Sequence, residues 1–422
     1  MSRTPTRHPP RQATRRWQTP RRIALYSHDT QGLGHVRRNS LIAAALVADH
    51  PDTDVLLLTG APQATSLPLP ARTDVVTLPS VHKDHAGAYT ARALSAPLAD
   101  VLAMRTGVIE GVLSAFAPDL LIVDKVARGV HGELERPLRR VREQHGTATV
   151  LGLRDVLDGA AATRREWERL QTDEAVRSLY DALWVYGDPL LFDPAAEYGW
   201  SRSITDKVSY TGYLAHGRSQ HLSARTDPAA SAVLEAASPF VLGLVGGGQD
   251  GAAVARAFAA ATYPAGHSAV LITGPYLGTE TLAELRNAAA VRDDLHVLDF
   301  VADVPSFVAR SSACVSMGGY NSVCELLAAG VPSLLVPRTT PRTEQAVRAE
   351  RLRRAAQIDV AAIASISAAD VTEWLGGALR CRRSGRSPFD LDGLARVPRL
   401  ADALLEHKTA AAEIGVMHHA AV

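Results

Sequence analysis

The chain has 422 residues, of which 46% are hydrophobic and 21% are charged, and its formal net charge is +1. These values exclude a disordered, collagen-like or disulfide-stapled protein, and the length leaves room for two domains of about 150 to 200 residues each. Three cysteines without metal-ligand spacing, and no apolar run approaching the ~18 residues of a membrane span, predict a cytoplasmic protein.

The charge is unevenly distributed along the chain. Residues 1–22 contain seven arginines and no acid, which leaves the other 400 residues with 38 basic and 44 acidic groups. Because this tail has four prolines and little apolar surface beyond Trp17, residues 1–20 are predicted to be disordered. It is either an inert appendage or a contact to an acidic partner or an anionic membrane surface, which would place the protein at the inner membrane face. The other arginines are dispersed and matched by acids, so we expect no nucleic-acid partner.

From residue 22 onward, short β-branched runs alternate with longer amphipathic stretches, which is typical of parallel strands joined by helices. In the first half, the predicted strands are Arg22–Ser27, Asp54–Thr59, Asp74–Leu78, Leu120–Asp124, Thr149–Leu153, Ala182–Tyr186 and Val208–Thr211. The predicted helices follow Gly34 and cover Leu94–Phe116, Gly132–Gln144 and Thr163–Tyr180. Together these elements predict one α/β domain over residues 21–216.

A polar segment closed by Pro239 predicts a linker over residues 217–238. A second series of strands follows, at Phe240–Val245, Ala269–Thr273, His296–Asp299, Ala313–Ser316, Ser333–Val336 and Ile358–Ala361. They predict a second α/β domain over residues 239–390, followed by a helix and tail over residues 391–422. Two doubly wound domains would face each other across a cleft, where ligands bind at the carboxyl ends of the strands.

A glycine-rich loop opens the second domain, where the run FVLGLVGGGQDG leads from a strand into a helix near Asp250. Glycine at 246, 247 and 248 lets backbone amides approach a phosphate, and the start of the helix adds favourable partial charge. The loop lacks the Lys-Ser/Thr pair of a nucleotide-hydrolase P-loop. A tight turn without any ligand is an equally good interpretation.

Residues 313–352 give a stronger signal. A strand ends in a loop of small residues, Met317–Ser322, and the helix that follows carries Glu325 near its first turn and ends at Gly330. Loop amides can bind phosphates, and a carboxylate one turn into the helix can accept both hydroxyls of a ribose. Glu325 alone is better explained as an acid that complements the helix dipole, but the loop, helix and carboxylate together favour a nucleotide site.

Residues 240–356 resemble the donor-nucleotide region of family 28 glycosyltransferases, which have the GT-B fold of two Rossmann-like domains. The resemblance implies that Glu325 holds the donor ribose, that Gln345 contacts the donor sugar, and that Phe300 and Val301 frame the uracil. The residues implied in the donor-binding loops are Gly246, Gly247, Gly248, Gln249, Gly318, Gly319, Asn321 and Ser322. The implied activity is inverting transfer of a hexosyl or N-acetylhexosaminyl group from a UDP-linked sugar to a hydroxyl acceptor, without a cofactor or bound metal.

The chain departs from the family pattern at four places. Gln249 stands where the family often has a serine, so a phosphate-binding hydroxyl is lost. Arg348 replaces an asparagine, and Arg338 and Arg342 lie where the family is less basic. An added arginine could contact the pyrophosphate or an acidic donor sugar, whereas a solvated helix face explains Arg348 equally well.

In the first domain, a loop with Gly32 and Gly34 precedes His35 and a long helix. A dinucleotide fingerprint would need a third glycine and an acid after the second strand, so NAD binding is not expected. The loop is instead similar to the histidine-ended first loop of family 28 enzymes, on the acceptor side of the cleft. Since the ordinary pKa of histidine lies near working pH, His35 is a candidate general base, with an orienting or loop-capping role as the alternative.

Other candidates follow the carboxyl ends of two strands. Asp124, Arg154 and Asp155 are expected to face the cleft on the acceptor side, where a carboxylate could orient His35 or deprotonate the acceptor. We take Asp155 as the second catalytic candidate, although such acids are more often helix caps or surface groups. The HKDH cluster at residues 82–85 is predicted to be a polar loop and not a metal site.

Two other functions share this two-domain layout. A nucleotide-sugar epimerase or hydrolase would act on the donor alone, and a non-catalytic subunit would bind the donor without turnover. The acceptor is also open, because a lipid-linked molecule, a soluble natural product and a carbohydrate all suit the sequence.

Overall fold

The computed structural model describes residues 20–28, 33–66, 68–83, 89–218, 228–237, 239–247, 250–380 and 387–420. Most of the predicted tail lies outside these residues, as do Gly32, Gly248 and Gln249. No helix in the described ranges is long and apolar enough to cross a membrane.

The first half of the chain forms a seven-stranded parallel sheet in the order β3-β2-β1-β6-β7-β8-β9, and an antiparallel hairpin of β4 and β5. The strands are β1 (Arg22–Ser27), β2 (Asp54–Thr59), β3 (Thr73–Thr77), β4 (Val81–Lys83), β5 (Tyr89–Ala91), β6 (Leu120–Asp124), β7 (Ala148–Arg154), β8 (Ala182–Tyr186) and β9 (Val208–Tyr210). The helices are α1 (Gly34–Asp49), α2 (Leu98–Phe116), α3 (Glu135–His145), α4 (Ala160–Arg169), α5 (Thr172–Leu179), α6 (Pro194–Tyr198) and α7 (Arg202–Thr205). We call this part the N-terminal domain.

The second half forms a six-stranded parallel sheet in the order β12-β11-β10-β13-β14-β15. Its strands are β10 (Phe240–Leu244), β11 (Ser268–Ile272), β12 (Leu295–Leu298), β13 (Ala313–Ser316), β14 (Ser333–Leu335) and β15 (Asp359–Val360). The helices that follow the N-terminal domain are α8 (Pro228–Ala236), α9 (Ala252–Ala259), α10 (Thr279–Ala290), α11 (Val304–Arg310), α12 (Tyr320–Ala329), α13 (Glu344–Arg354), α14 (Ala368–Ala378) and α15 (Gly393–Ala420). We call the part built on this sheet the C-terminal domain.

Both sheets are doubly wound, and the strand order reverses between β1 and β6 in one sheet and between β10 and β13 in the other. The central strands are unbroken apolar runs because helices cover both of their faces; every residue of β6 and β10 is buried. The predicted α/β class with two doubly wound sheets is therefore confirmed. Ligand crevices in such sheets lie at the carboxyl ends of the strands next to the reversal.

Two features differ from the sequence prediction in the N-terminal domain. The hairpin of β4 and β5 was not predicted, because each of its strands has only three residues. The single helix predicted over Thr163–Tyr180 is two helices, because Gln171 adopts a left-handed backbone conformation with φ of 48° and ends the regular turn.

The last helix, α15, returns to the N-terminal domain and packs against α1. Asp402 on α15 pairs with Arg21 and with His50, and Lys408 pairs with Asp181 at 3.0 Å. One hydrophobic cluster runs without a break from the first sheet through Leu214 into the second sheet and α15. The two domains thus share part of their core.

Candidate active site in the interdomain cleft

The carboxyl ends of the two sheets face each other across a cavity of about 1100 Å³. The N-terminal domain contributes the start of α1, the segment after β6 and the junction of α4 and α5. The C-terminal domain contributes the turn after β10, the segment after β12, the loop before α12 and the segment before α13.

His35 lies in the first turn of α1 and points at the carboxylate that ends β6. Its Nδ1 atom is 2.9 Å from Oδ2 of Asp124, which is fully buried. Arg38, one turn further along α1, donates from Nη2 to Oδ1 of Asp124 at 2.6 Å. Burial alone would raise the pKa of Asp124, but Arg38 and His35 outweigh it and hold that pKa well below its usual range. Asp124 therefore stays ionised beside the imidazole.

Nδ1 of His35 lies 2.9 Å from Asp124 Oδ2 and also 2.9 Å from Nη2 of Arg38, so its role depends on the tautomer. When Nδ1 carries the proton and donates it to Asp124, Nε2 is left with a free lone pair that can accept a proton. The sequence predicted that a carboxylate could orient His35, and the structure brings Asp124 to the required distance. Arg38 gave no recognisable signal in the sequence, because one arginine among 41 carries no information about its partner.

Two further basic side chains line the cavity on the N-terminal side. His28 stacks at a tilt on His35 with 4.9 Å between the ring centroids, and burial, followed by the neighbouring His35, lowers its pKa well below the usual value. Lys125, which has a left-handed backbone with φ of 69°, has its pKa lowered by burial and then by Arg342 and Arg154. Both shifts favour the neutral forms of these side chains.

Asp155, predicted as a catalytic residue, does not line the cavity. It is fully buried, and its two oxygens accept from Nε and Nη2 of Arg348 at 2.8 and 2.6 Å and from the Tyr213 hydroxyl at 2.8 Å. Arg348 is itself fully buried, so it is neither on a solvated helix face nor free for a pyrophosphate. The pair joins the end of β7 to α13 across the domain boundary.

Glu325 is buried on α12, with its carboxylate at the cavity wall. Its Oε1 atom accepts from Nη1 of Arg218 at 3.2 Å and lies 3.1 Å from Nη2 of Arg37 on α1. Asn321, one turn earlier, donates from Nδ2 to the carbonyl oxygen of Gly34 at 3.1 Å. The predicted ribose carboxylate, which belongs to the C-terminal domain, is therefore held by two arginines from the N-terminal side.

The loops of the C-terminal domain present backbone amides to the same cavity. Gly319 is the N-cap of α12, so the free amides of the first helical turn and the positive end of the helix face the space where an anion could bind. Gly246 has φ of 64°. Gly274 packs against this turn so closely that a Cβ atom on residue 274 would lie 2.1 Å from the carbonyl oxygen of Gly246. Glycine is thus required at 274 for the two loops to meet.

The arginines predicted as additions to the family pattern are paired with acids. Arg338 donates to Asp250 at 2.7 Å and to Glu344 at 2.9 Å. Arg342 donates to Glu166 of the N-terminal domain at 2.8 Å. Burial would raise the pKa of Glu344, yet its arginine neighbours, Arg154 first and Arg338 second, lower it to about 2. Sequence reasoning did not single out Glu344, although it directly precedes Gln345, and it did not find Glu166, which belongs to no motif.

The predicted site residues fall into three groups. Those on the cavity wall are Gly34, His35, Arg154, Gly246, Gly247, Phe300, Val301, Gly319, Asn321, Ser322, Glu325 and Gln345. Asp124, Asp155 and Gly318 lie behind the wall, and Gly32, Gly248 and Gln249 lie outside the described residues. Gln345 accepts from the backbone amide of Arg338 at 3.2 Å, which holds its side chain at the wall.

Solved structures with the same fold include UGT73P12 of Glycyrrhiza uralensis in complex with glycyrrhetinic acid 3-O-monoglucuronide, with a TM-score of 0.62 and 12% identity over 96% of this chain and 99% of that one. A putative UDP-N-acetylglucosamine 2-epimerase from Listeria monocytogenes has a TM-score of 0.58 and 13% identity over 92% and 96%. The calicheamicin glycosyltransferase CalG4 has a TM-score of 0.54 and 16% identity over 94% and 98%. Two facing doubly wound domains and these neighbours define the GT-B class.

Residues 244–367 match the glycosyltransferase family 28 C-terminal domain. A curated relative from Leuconostoc mesenteroides, UDP-N-acetylglucosamine--N-acetylmuramyl-(pentapeptide) pyrophosphoryl-undecaprenol N-acetylglucosamine transferase, is 35% identical over 71 residues, 17% of this chain and 19% of the relative. The enzyme of the same name from Leuconostoc citreum is 33% identical over 73 residues, 17% of this chain and 20% of the relative. The chain thus aligns with about a fifth of the length of each relative. The match at residues 244–367, in a chain with the GT-B fold, confirms the resemblance predicted from the sequence.

Proposed function

We propose that this protein is a glycosyltransferase that transfers a hexosyl or N-acetylhexosaminyl group from a UDP-linked sugar to a hydroxyl acceptor, with inversion. The family 28 match of the C-terminal domain supports glycosyl transfer, and the names of the curated relatives contain a UDP-linked donor. One observation carries the proposal. The His35–Asp124 pair of one domain and the Glu325 helix of the other open onto a single cavity.

In the proposed mechanism, the amides at the start of α12 bind the donor diphosphate and Glu325 accepts the ribose hydroxyls. The acceptor oxygen attacks the anomeric carbon from the side opposite the diphosphate, and the bond from that carbon to the diphosphate oxygen breaks. Nε2 of His35 takes the proton of the acceptor hydroxyl, while Asp124 stabilises the imidazolium that forms. The charge that develops on the departing diphosphate is stabilised by the helix end and the loop amides. No metal or cofactor enters this proposal.

A His35→Gln variant tests the proposal. We expect kcat to fall by about 10²- to 10⁴-fold, because general base catalysis contributes about that factor, while the Kd for UDP stays within about twofold of wild type. Turnover is measured by mass spectrometry of the product, with the best donor from a thermal-shift screen of nucleotide sugars, and UDP binding by calorimetry. Near-normal turnover would refute the role of His35, and a wild-type protein that binds no nucleotide would refute the proposed function.

A nucleotide-sugar epimerase or hydrolase is the second candidate function, because the putative UDP-N-acetylglucosamine 2-epimerase from Listeria has the same two-domain fold. An epimerase or hydrolase would convert the donor without any acceptor. Incubation of the wild-type protein with UDP-sugars alone distinguishes the functions: free sugar or an epimerised donor would favour this second candidate, and an unchanged donor favours transfer. Donor binding without turnover over a broad acceptor panel would instead indicate a non-catalytic subunit.

A further inference from the structure

Arg218 lies at the end of the N-terminal domain, in the segment that leads towards the second sheet. Its side chain is 1% exposed. Its Nε atom donates to the carbonyl oxygen of Leu214, which fixes the guanidinium to its own chain segment. Its other two nitrogens point at α12, where Nη1 reaches Oε1 of Glu325 at 3.2 Å and Nη2 reaches Oδ1 of Asn321 at 3.2 Å. Nη1 is also 3.4 Å from the Asn321 carbonyl oxygen.

We propose that Arg218 is a positioning residue for the donor site, which holds the Glu325 carboxylate in the orientation that accepts the two hydroxyls of the donor ribose. The inference rests on the proposed function, in which Glu325 binds that ribose. Glu325 and Asn321 are four residues apart and therefore lie on one face of α12. A planar guanidinium that bonds to both fixes the two side chains relative to each other, which a lysine, as a point charge, cannot do.

A second arginine reaches the same carboxylate oxygen but is held less firmly. Nη2 of Arg37 lies 3.1 Å from Oε1 of Glu325, and the Arg37 side chain is 23% exposed. Arg218 is enclosed and bonded at all three nitrogens, so a ribose hydroxyl that approaches Glu325 displaces Arg37 and leaves Arg218 in place. The orientation of the carboxylate then depends on Arg218 alone, because the supporting contacts of a binding group decide its geometry.

The test compares UDP with 2′-deoxy-UDP, which lacks one of the two ribose hydroxyls. For the wild-type protein we expect calorimetry to give a Kd for 2′-deoxy-UDP at least about tenfold weaker, since a hydrogen bond to a charged group is lost. In an Arg218→Lys variant, UDP should bind about tenfold more weakly, and 2′-deoxy-UDP, which keeps only the 3′-hydroxyl, should weaken by less, so the ratio of the two Kd values falls towards one. kcat at saturating donor should stay within about threefold of wild type, because the His35 side chain contacts Asp124 and Arg38 and not Arg218.

Arg351→Gln is the matched control. Arg351 on α13 likewise joins the two domains, but its partners are Glu197 and the Phe192 ring and not Glu325 or Asn321. The Arg351→Gln substitution should lower the thermal midpoint of unfolding and leave the ratio of the Kd values for 2′-deoxy-UDP and UDP unchanged. In a Glu325→Gln background the ratio is already close to one, and adding Arg218→Lys should not lower it further.

The outcomes separate this inference from the proposed function. If UDP binds the wild-type protein but Arg218→Lys leaves the ratio of the two Kd values unchanged, the positioning role is overturned. The same holds if Arg218→Lys and Glu325→Gln lower that ratio additively. If the wild-type protein binds no UDP, or binds both nucleotides equally, the donor assignment of Glu325 itself fails.

Discussion

Buried charges at the domain boundary of this protein come in pairs whose members belong to different segments of the chain. Arg348 and Asp155 neutralise each other with two hydrogen bonds, and Glu344 lies between Arg154 and Arg338. A buried charge without a partner would cost several kcal/mol, so each partner is needed once the other is enclosed. Both oxygens of Asp155 are used in this way, whereas Glu344 also lines the cavity.

The stability that Glu344 contributes should depend on pH. Its pKa falls from 4.5 to about 2 on folding, so its stabilising contribution is fully present above about pH 4.5 and is lost as the pH falls to about 2. The difference corresponds to about 3 kcal/mol, since one pKa unit is about 1.4 kcal/mol. Urea unfolding from pH 5 to pH 2 should therefore show a steeper loss for wild type than for Glu344→Gln.

Glu350→Gln, on the same helix, is the control for this prediction. The pKa of Glu350 is also lowered to about 2, by hydrogen bonds from Arg353 and then Arg354, but Glu350 is exposed. Solvent and salt screen exposed pairs. The pH-dependent contribution of Glu350 to the free energy of unfolding should disappear in about 0.5 M NaCl, where the Debye length is only a few ångströms. The contribution of Glu344 should persist. Equal pH slopes for wild type and Glu344→Gln would contradict the prediction.

At the scale of elements, the two glycine-containing turns after β10 and β11 depend on each other. Both Gly274 and Gly266 have φ of 76°, but a Cβ atom at 274 would lie 2.1 Å from the Gly246 carbonyl oxygen, whereas a Cβ atom at 266 meets nothing within 4 Å. Gly266→Ala should cost about 1 to 2 kcal/mol, the backbone penalty alone. Gly274→Ala should cost more and should also weaken UDP binding, because the turn at Gly246 must move.

Since Gly266 and Gly274 have the same φ, the comparison of these two variants separates the cost of the close contact with Gly246 from the cost of backbone strain. Urea unfolding gives the stabilities, and calorimetry gives the Kd for UDP. A Gly274→Ala protein that matches Gly266→Ala in both measurements would show that the turn at Gly246 does not take part in donor binding.

The elements themselves were largely predictable, since unbroken apolar runs such as Leu120–Asp124 have one stable environment, the centre of a parallel sheet. Glu325, which belongs to a contiguous motif, was singled out from the sequence, and the structure places it on the cavity wall. The partners of these residues were not predictable. Arg38, Arg218 and the bond of Asp155 to Arg348 depend on contacts between segments up to 193 residues apart, which no local pattern encodes.

At the scale of the whole molecule, the two domains share a hydrophobic cluster, and α15 links the end of the chain back to α1. Because the two domains share a core and several buried ion pairs, we expect them to unfold together in one cooperative transition. Domains joined only by a flexible linker would unfold separately.

Binding of UDP should therefore stabilise both sheets, although the proposed nucleotide site lies mainly on the C-terminal domain. At a UDP concentration of about 100 times Kd, mass action adds about 2.7 kcal/mol to the unfolding free energy. Native-state hydrogen exchange along a urea series should show this same increase for peptides from β6 and β7 as for peptides from β10 and β13. An increase confined to β10 and β13 would mean that the C-terminal domain opens alone, and that the shared core does not couple the domains.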